Sequence, residues 1–144
     1  MEKGNLLLID DEVLLLEKTA MLLEDIADEV FTSDNGADGL KILKEKEIHC
    51  VICDINMPNM NGVEVLKKVR EDFPDLPFIF YTGHGSRDLM REAIKYGAFD
   101  FLDKPCLEGL EEIASRGLAL GTGKQVLNSG FDGLFETEFK KLME

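Results

Sequence analysis

Four apolar runs along this chain each stop abruptly at polar residues. Leu6-Leu7-Leu8-Ile9 stops at Asp10-Asp11, and Cys50-Val51-Ile52-Cys53 stops at Asp54. Phe78-Ile79-Phe80-Tyr81 stops at Thr82, and Phe99-Asp100-Phe101-Leu102 leads into Asp103-Lys104-Pro105. Short apolar runs separated by segments of helical periodicity predict buried strands of a parallel sheet.

The segments between them complete an alternating pattern. Glu12 to Ala27 carries Val13, Leu16, Ala20, Leu23 and Ala27 at helical spacing. A short second strand, Glu29 to Thr32, leads into Ser33-Asp34-Asn35-Gly36, which is turn and N-cap chemistry, and a helix to Lys46 follows. After Asp54 comes an Asn-, Pro- and Gly-rich loop, Ile55 to Gly62, then a third helix from Val63 to Asp72 closed off by Pro74 and Pro77. Ser86 is placed to cap a fourth helix ending near Gly97, and a weaker fifth helix, Leu107 to Leu120, is interrupted by Gly109 and Gly117. Repeated β-α alternation predicts an α/β fold, a doubly wound five-stranded parallel sheet with helices on both faces.

Residues 1–120 read as this domain and 121–144 as a flexible connection and an amphipathic C-terminal helix. The connection is Gly121-Thr122-Gly123 and Asn128-Ser129-Gly130; beyond it Phe131, Leu134, Phe135, Phe139, Leu142 and Met143 form one helical stripe. The stripe reads as a docking or dimerisation helix, as a segment packing back on the domain, or as a linker into something larger. Gly121-x-Gly123-Lys124 is no phosphate-binding loop, since Gln125 replaces the hydroxyl residue and the leading glycine is missing.

Charge narrows the partners. Sixteen Lys and Arg against 29 Asp and Glu give a net −13 over 144 residues. Such a surface repels nucleic acid and anionic membranes. No window approaches a membrane span, the first strand begins almost at Met1, and the cysteine number is odd, so a cytoplasmic location is expected. Cys50 and Cys53 lie three apart on a strand and face opposite sides, which makes them small core residues rather than a redox pair. Nothing near Cys106 marks it as reactive.

Residues just past the carboxyl ends of parallel strands converge on one crevice. Asp10, Asp11, Asp54, Thr82 and Lys104 therefore place three carboxylates, a hydroxyl and an ammonium around one point. A carboxylate can attack phosphorus and form a temporary aspartyl phosphate. The charges that gather need a hard cation with oxygen ligands, and no His or Cys set has transition-metal spacing, so Mg²⁺ or Mn²⁺ is the natural occupant.

The spacing of these elements resembles the receiver domain of two-component response regulators, chemotaxis regulators included, from about Lys3 to Leu120. It is carried by Asp10-Asp11, by Asp54-Ile55-Asn56-Met57-Pro58-Asn59-Met60-Asn61-Gly62, by Thr82-Gly83, and by Ala98-Phe99-Asp100-Phe101-Leu102 before Lys104-Pro105. The resemblance implies strand order 2-1-3-4-5 and a phosphoryl group accepted by Asp54 from a histidine kinase or histidine phosphotransfer protein. It implies Mg²⁺ on Asp11, Asp54 and the Asn56 backbone carbonyl, with Asp10 assisting. Thr82 and Phe101 would form a switch pair, and Lys104 would hold a phosphoryl oxygen across a cis bond to Pro105. Autocatalytic phosphotransfer and self-dephosphorylation, rather than turnover of a separate substrate, are then expected. An output partner protein would read the switch, and the surfaces for a homodimer would be the face of the fourth helix, fifth strand and fifth helix (the 4-5-5 face) or the C-terminal helix.

Several residues carry two readings. His84, two beyond Thr82, and Asn56, two beyond Asp54, either tune the attack of water on an aspartyl phosphate or are plain loop residues. Phe101 is either a mobile aromatic or core. For the whole chain, the alternatives to a stand-alone phosphorylated receiver are a metal-dependent phosphohydrolase with an aspartyl nucleophile, a receiver fragment of a larger hybrid kinase or regulator, and an interaction module that keeps the fold without the switch.

Overall fold

The computed structural model describes residues 2–83 and 87–123. Its strands are β1 (Asn5–Ile9), β2 (Glu29–Ser33), β3 (Cys50–Cys53), β4 (Phe78–Thr82) and β5 (Asp100–Asp103). Its helices are α1 (Val13–Leu23), α2 (Gly36–Glu45), α3 (Gly62–Asp72), α4 (Arg87–Lys95) and α5 (Leu107–Gly121). All strand pairs are parallel, in the order β2-β1-β3-β4-β5, as expected. Starting both outward and inward from β1 is what puts helices on both faces.

The alternation of side chains along each strand divides the core in two. Leu7, Ile9, Val51, Cys53, Phe78 and Phe80 meet α2, α3 and α4 on one face. Leu6, Leu8, Cys50, Ile52, Ile79 and Tyr81 meet α1 and α5 on the other. Cys50 and Cys53 thus fall in different cores, both fully buried, and burial pushes both thiols well up.

Local chemistry sets the helix starts. The Asn35 side chain accepts the Asp38 N–H at 2.8 Å, and Asn61 and Glu64 form a reciprocal capping box at the head of α3. Gly109 and Gly117 do not interrupt α5, which runs fifteen residues. Gly117 lies against the sheet, where an added Cβ would stand 2.6 Å from Cys50 Sγ. It is there to let the helix approach.

Two expected boundaries shift, and one residue expected in the core is exposed. The first helix stops at Leu23 rather than Ala27, continuing only as a 3-10 turn from Glu24 to Ile26. Ala27 is already extended (φ −128°, ψ 157°) so that the chain can enter β2. Val13, expected on the buried stripe, is 47% exposed at the mouth of a groove between α1 and α2. The fifth strand starts one residue later than its apolar run and is only half-buried, because it is the sheet's edge and a single neighbour, β4, pairs with it. The predicted Ser86 cap and the C-terminal helical stripe lie outside the described residues.

Candidate functional site

Strand register builds the site. Ile9 pairs with Cys53, so Asp10 and Asp54 emerge at the same level, and the Asp54 N–H donates to the Ile9 carbonyl at 3.0 Å. Thr82 pairs with Asp103, and the Lys104 N–H donates to the Thr82 carbonyl at 3.0 Å. Four strand ends thereby deliver the residues expected to meet. Asp10, Asp54 and Thr82 are buried, whereas Asp11 is exposed at the rim.

The loop after β3 folds back over the site. Asn59 adopts a left-handed conformation (φ 68°), and the Gly62 N–H returns to the Ile55 carbonyl at 2.8 Å. Gly62 packs directly on the Asp54 carbonyl oxygen, which leaves no room for a Cβ. This glycine, an ordinary loop residue in the sequence, holds the backbone of Asp54 against the head of α3. The Asn56 N–H lies 3.4 Å from Asp54 Oδ1, so Asn56 belongs to the same turn.

Lys104 reaches across the crevice. Its Nζ lies 2.8 Å from Asp10 Oδ2 and 3.1 Å from Asp54 Oδ2, with Glu12 Oε1 at 3.8 Å. Burial pulls the ammonium pKa down, but the hydrogen bond and charge of Asp10, joined by Asp54, outweigh it and hold the pKa above its usual value. Burial raises the Asp10 carboxyl, against the opposing pull of Lys104. The Lys104–Pro105 peptide is cis, as expected.

Two residues enter that sequence reasoning missed. Tyr81 accepts the Cys106 N–H on its hydroxyl at 2.9 Å, tying the turn after Lys104 to β4. Nothing distinguishes a tyrosine inside an apolar run from any other core aromatic. Glu12 extends the acidic pair to three, a signal that was present as Asp10-Asp11-Glu12.

Asp10, Asp11 and Asp54 each present a carboxylate oxygen, and these lie within 4.8 Å of one another. The all-oxygen, all-anionic donor set fits a hard divalent cation. Thr82 Oγ1 is buried and has no hydrogen-bond partner among the described residues. On β5 the Phe101 ring, paired with Phe80 two residues before Thr82, is half-buried and stacks on Phe80 with centroids 5.5 Å apart and planes 16° apart. His84 lies outside the described residues. Among the described residues, no helix is long and apolar enough to cross a membrane.

Known proteins match this geometry. Residues 6–115 fit the profile of the response regulator receiver domain. The transcriptional regulatory protein FixJ of Bradyrhizobium diazoefficiens is 35% identical over 103 residues, covering 72% of this chain and 50% of FixJ. A response regulator receiver domain protein from Clostridium thermocellum is 33% identical with a TM-score of 0.73, covering 86% of this chain and 98% of that one. A CheY-like receiver domain protein from Methanospirillum hungatei superimposes with a TM-score of 0.78 at 25% identity, over 84% of this chain and 98% of its own. The chain spans half or less of the length of the curated relatives it matches. Fold and sequence agree, and the chain belongs to the response regulator receiver domain family.

Proposed function

We propose that Asp54 accepts a phosphoryl group from a histidine kinase or histidine phosphotransfer protein, and that this step biases the domain between two conformations read by an output partner. The single observation that carries the reading is the placement of Lys104 Nζ between Asp10 Oδ2 and Asp54 Oδ2, beside a third carboxylate. In the transfer an Asp54 carboxylate oxygen forms a bond to phosphorus as the donor's N–P bond breaks, the bonding pair leaving with the imidazole nitrogen, which takes any proton it needs from water. Asp10, Asp11 and Asp54, with the Asn56 carbonyl, would hold Mg²⁺ or Mn²⁺, which when bound neutralises charge on the phosphoryl oxygens. Lys104 turns from the carboxylates to a phosphoryl oxygen, and Thr82 donates its hydroxyl to another.

Energetics favour a bias over an absolute switch. A hydrogen bond to a charged group contributes roughly 1.5–3 kcal/mol, whereas moving a population from mostly off to mostly on needs about 5.5 kcal/mol of differential binding. Lys104 already has carboxylate partners, so it contributes only the difference between two good contacts. Thr82, which has no partner among the described residues before phosphorylation, contributes more. A partner binding the altered face completes the shift. Since the curated relatives extend well beyond this domain, that partner is either a separate protein or a further segment of a longer chain. Self-dephosphorylation, tuned from Asn56 and His84, would reset the domain, with no separate substrate turned over in a cytoplasmic signalling role.

Incubation with Mg²⁺ and a small phosphodonor such as acetyl phosphate should add one phosphoryl group, removable by hydroxylamine as an acyl phosphate is. Asp54→Asn should abolish the mass gain. Equal uptake by Asp54→Asn would overturn the assignment of the nucleophile, and multiple turnover of phosphate monoesters would favour a phosphohydrolase.

A further inference from the structure

The outward face of α1 carries two large apolar side chains beside the exposed charges of Glu17 and Lys18. Leu14 is 77% exposed and Met21 70% exposed, seven residues apart and so on one face, with Val13 at its edge. Leu14 and Met21 lie one above the other between Glu17 and Lys18, an apolar strip flanked by one base and one acid that suits the stripe of an amphipathic helix.

The end of α5 indicates what does. Thr122 packs on Gly4, whose added Cβ would stand 2.7 Å from Thr122 Cγ2. Gly4 and its neighbour Lys3 bind the stretch that follows α1: both their N–H groups donate to Asp28 Oδ2, at 3.0 and 2.9 Å, and Lys3 Nζ donates to the Asp25 carbonyl at 3.1 Å. The chain therefore passes Gly123 at the carboxyl-terminal end of α1, and residues 124–144 follow from there. Residues 124–130 reach up to roughly 23 Å extended, and a helical 131–143 would span about 20 Å beside the ~16 Å of α1. Phe131, Leu134, Phe135, Phe139, Leu142 and Met143 repeat at the spacing that would lay one apolar stripe along another.

We propose that the exposed Leu14–Met21 face of α1 is the docking surface for residues 131–143 of this same chain. The tether presents that stretch at an effective concentration on the order of millimolar, which favours it over a second copy in dilute solution. Because α1 begins just after Glu12, whose carboxylate lies 3.8 Å from Lys104 Nζ, the covered face borders the phosphoryl site. A partner approaching along α1 must displace the tail first. The proposal stands apart from the assignment of Asp54, and its test needs no phosphodonor.

The test uses the full chain with ¹³C-methyl-labelled methionine, the Met21 resonance being assigned through Met21→Leu. Docking gives Overhauser contacts from the Met21 methyl to phenylalanine ring protons, with an upfield shift that persists unchanged on tenfold dilution. Both should vanish in the Phe135→Ala/Phe139→Ala double variant. No ring contact in the unmodified chain, or a Met21 resonance identical in the double variant, overturns the proposal. Contacts that fade on dilution overturn it in favour of a second copy.

Discussion

Lys104 Nζ lies 3.1 Å from Asp54 Oδ2 although fifty residues separate the two in the chain. The same ammonium lies 2.8 Å from Asp10 Oδ2, so one cation bridges the two buried acids of the site. Replacing it, as in Lys104→Met, leaves two carboxylates facing each other. Stability without metal should fall by about 3 kcal/mol, as for other buried pairs that lose one partner. Mg²⁺ should bind more tightly, because the ammonium occupies an oxygen of each ligand. Urea unfolding with and without Mg²⁺, together with titration calorimetry, checks both signs; a weaker Mg²⁺ affinity in the variant would contradict this competition.

Asp11 contributes charge rather than packing, being the exposed member of the acidic trio. Asp11→Ala is expected to leave folding stability nearly unchanged and to weaken Mg²⁺ binding on the order of tenfold, ~1.4 kcal/mol at a partly screened site. Unchanged affinity by calorimetry would remove Asp11 from the ligand set.

Thr82 offers a test with an unusual sign. Its hydroxyl is buried with no partner among the described residues, a cost that valine of similar shape relieves. Thr82→Val should stabilise the unphosphorylated domain by about 1 kcal/mol and blunt its response to phosphodonor. Thermal unfolding reads the first effect. The second appears as a smaller spectral change on phosphorylation at equal adduct level.

Helix propensity and packing disagree at Gly117. Alanine there gains about 1 kcal/mol of propensity, but its Cβ would stand 2.6 Å from Cys50 Sγ on the sheet. Overpacking typically costs about 1–3 kcal/mol, so Gly117→Ala should destabilise on balance. Adding Cys50→Ala should recover most of the loss, which a double-mutant cycle measures directly.

The cysteines report on burial and on alkaline stability. Cys106 is exposed and should react with a thiol reagent in the native protein, whereas Cys50 and Cys53 should react only after unfolding. Burial raises both core thiols above the ordinary value of 9.0, so the unfolded chain loses these protons first as pH rises. Stability from this source is intact below that value and declines above it, by about 1.4 kcal/mol per thiol per pH unit. Urea unfolding across that range should show the decline, and Cys50→Ala should make it shallower.

Much of this was legible along the chain because the fold is written in runs and interruptions. Apolar runs ending at Asp10, Asp54, Thr82 and Lys104 determined the strands, their parallel sense and the residues of the site. A buried strand must be apolar on both faces, and its polar successor must lie at the sheet's end. Facts that depend on distance between elements were decided only in three dimensions. Gly117 reads as a helix breaker until α5 is seen against Cys50, and Gly62 reads as a loop residue until it is seen against the Asp54 carbonyl. Tyr81 reads as core until its hydroxyl is seen on the Cys106 N–H. The half-buried state of β5 follows from its place at the sheet's edge, which periodicity does not encode. Sequence determined which groups reach the crevice; tertiary packing decided that Lys104 pairs with Asp10 and Asp54 while Thr82 finds no partner among the described residues, because both depend on angles and separations that no linear pattern records.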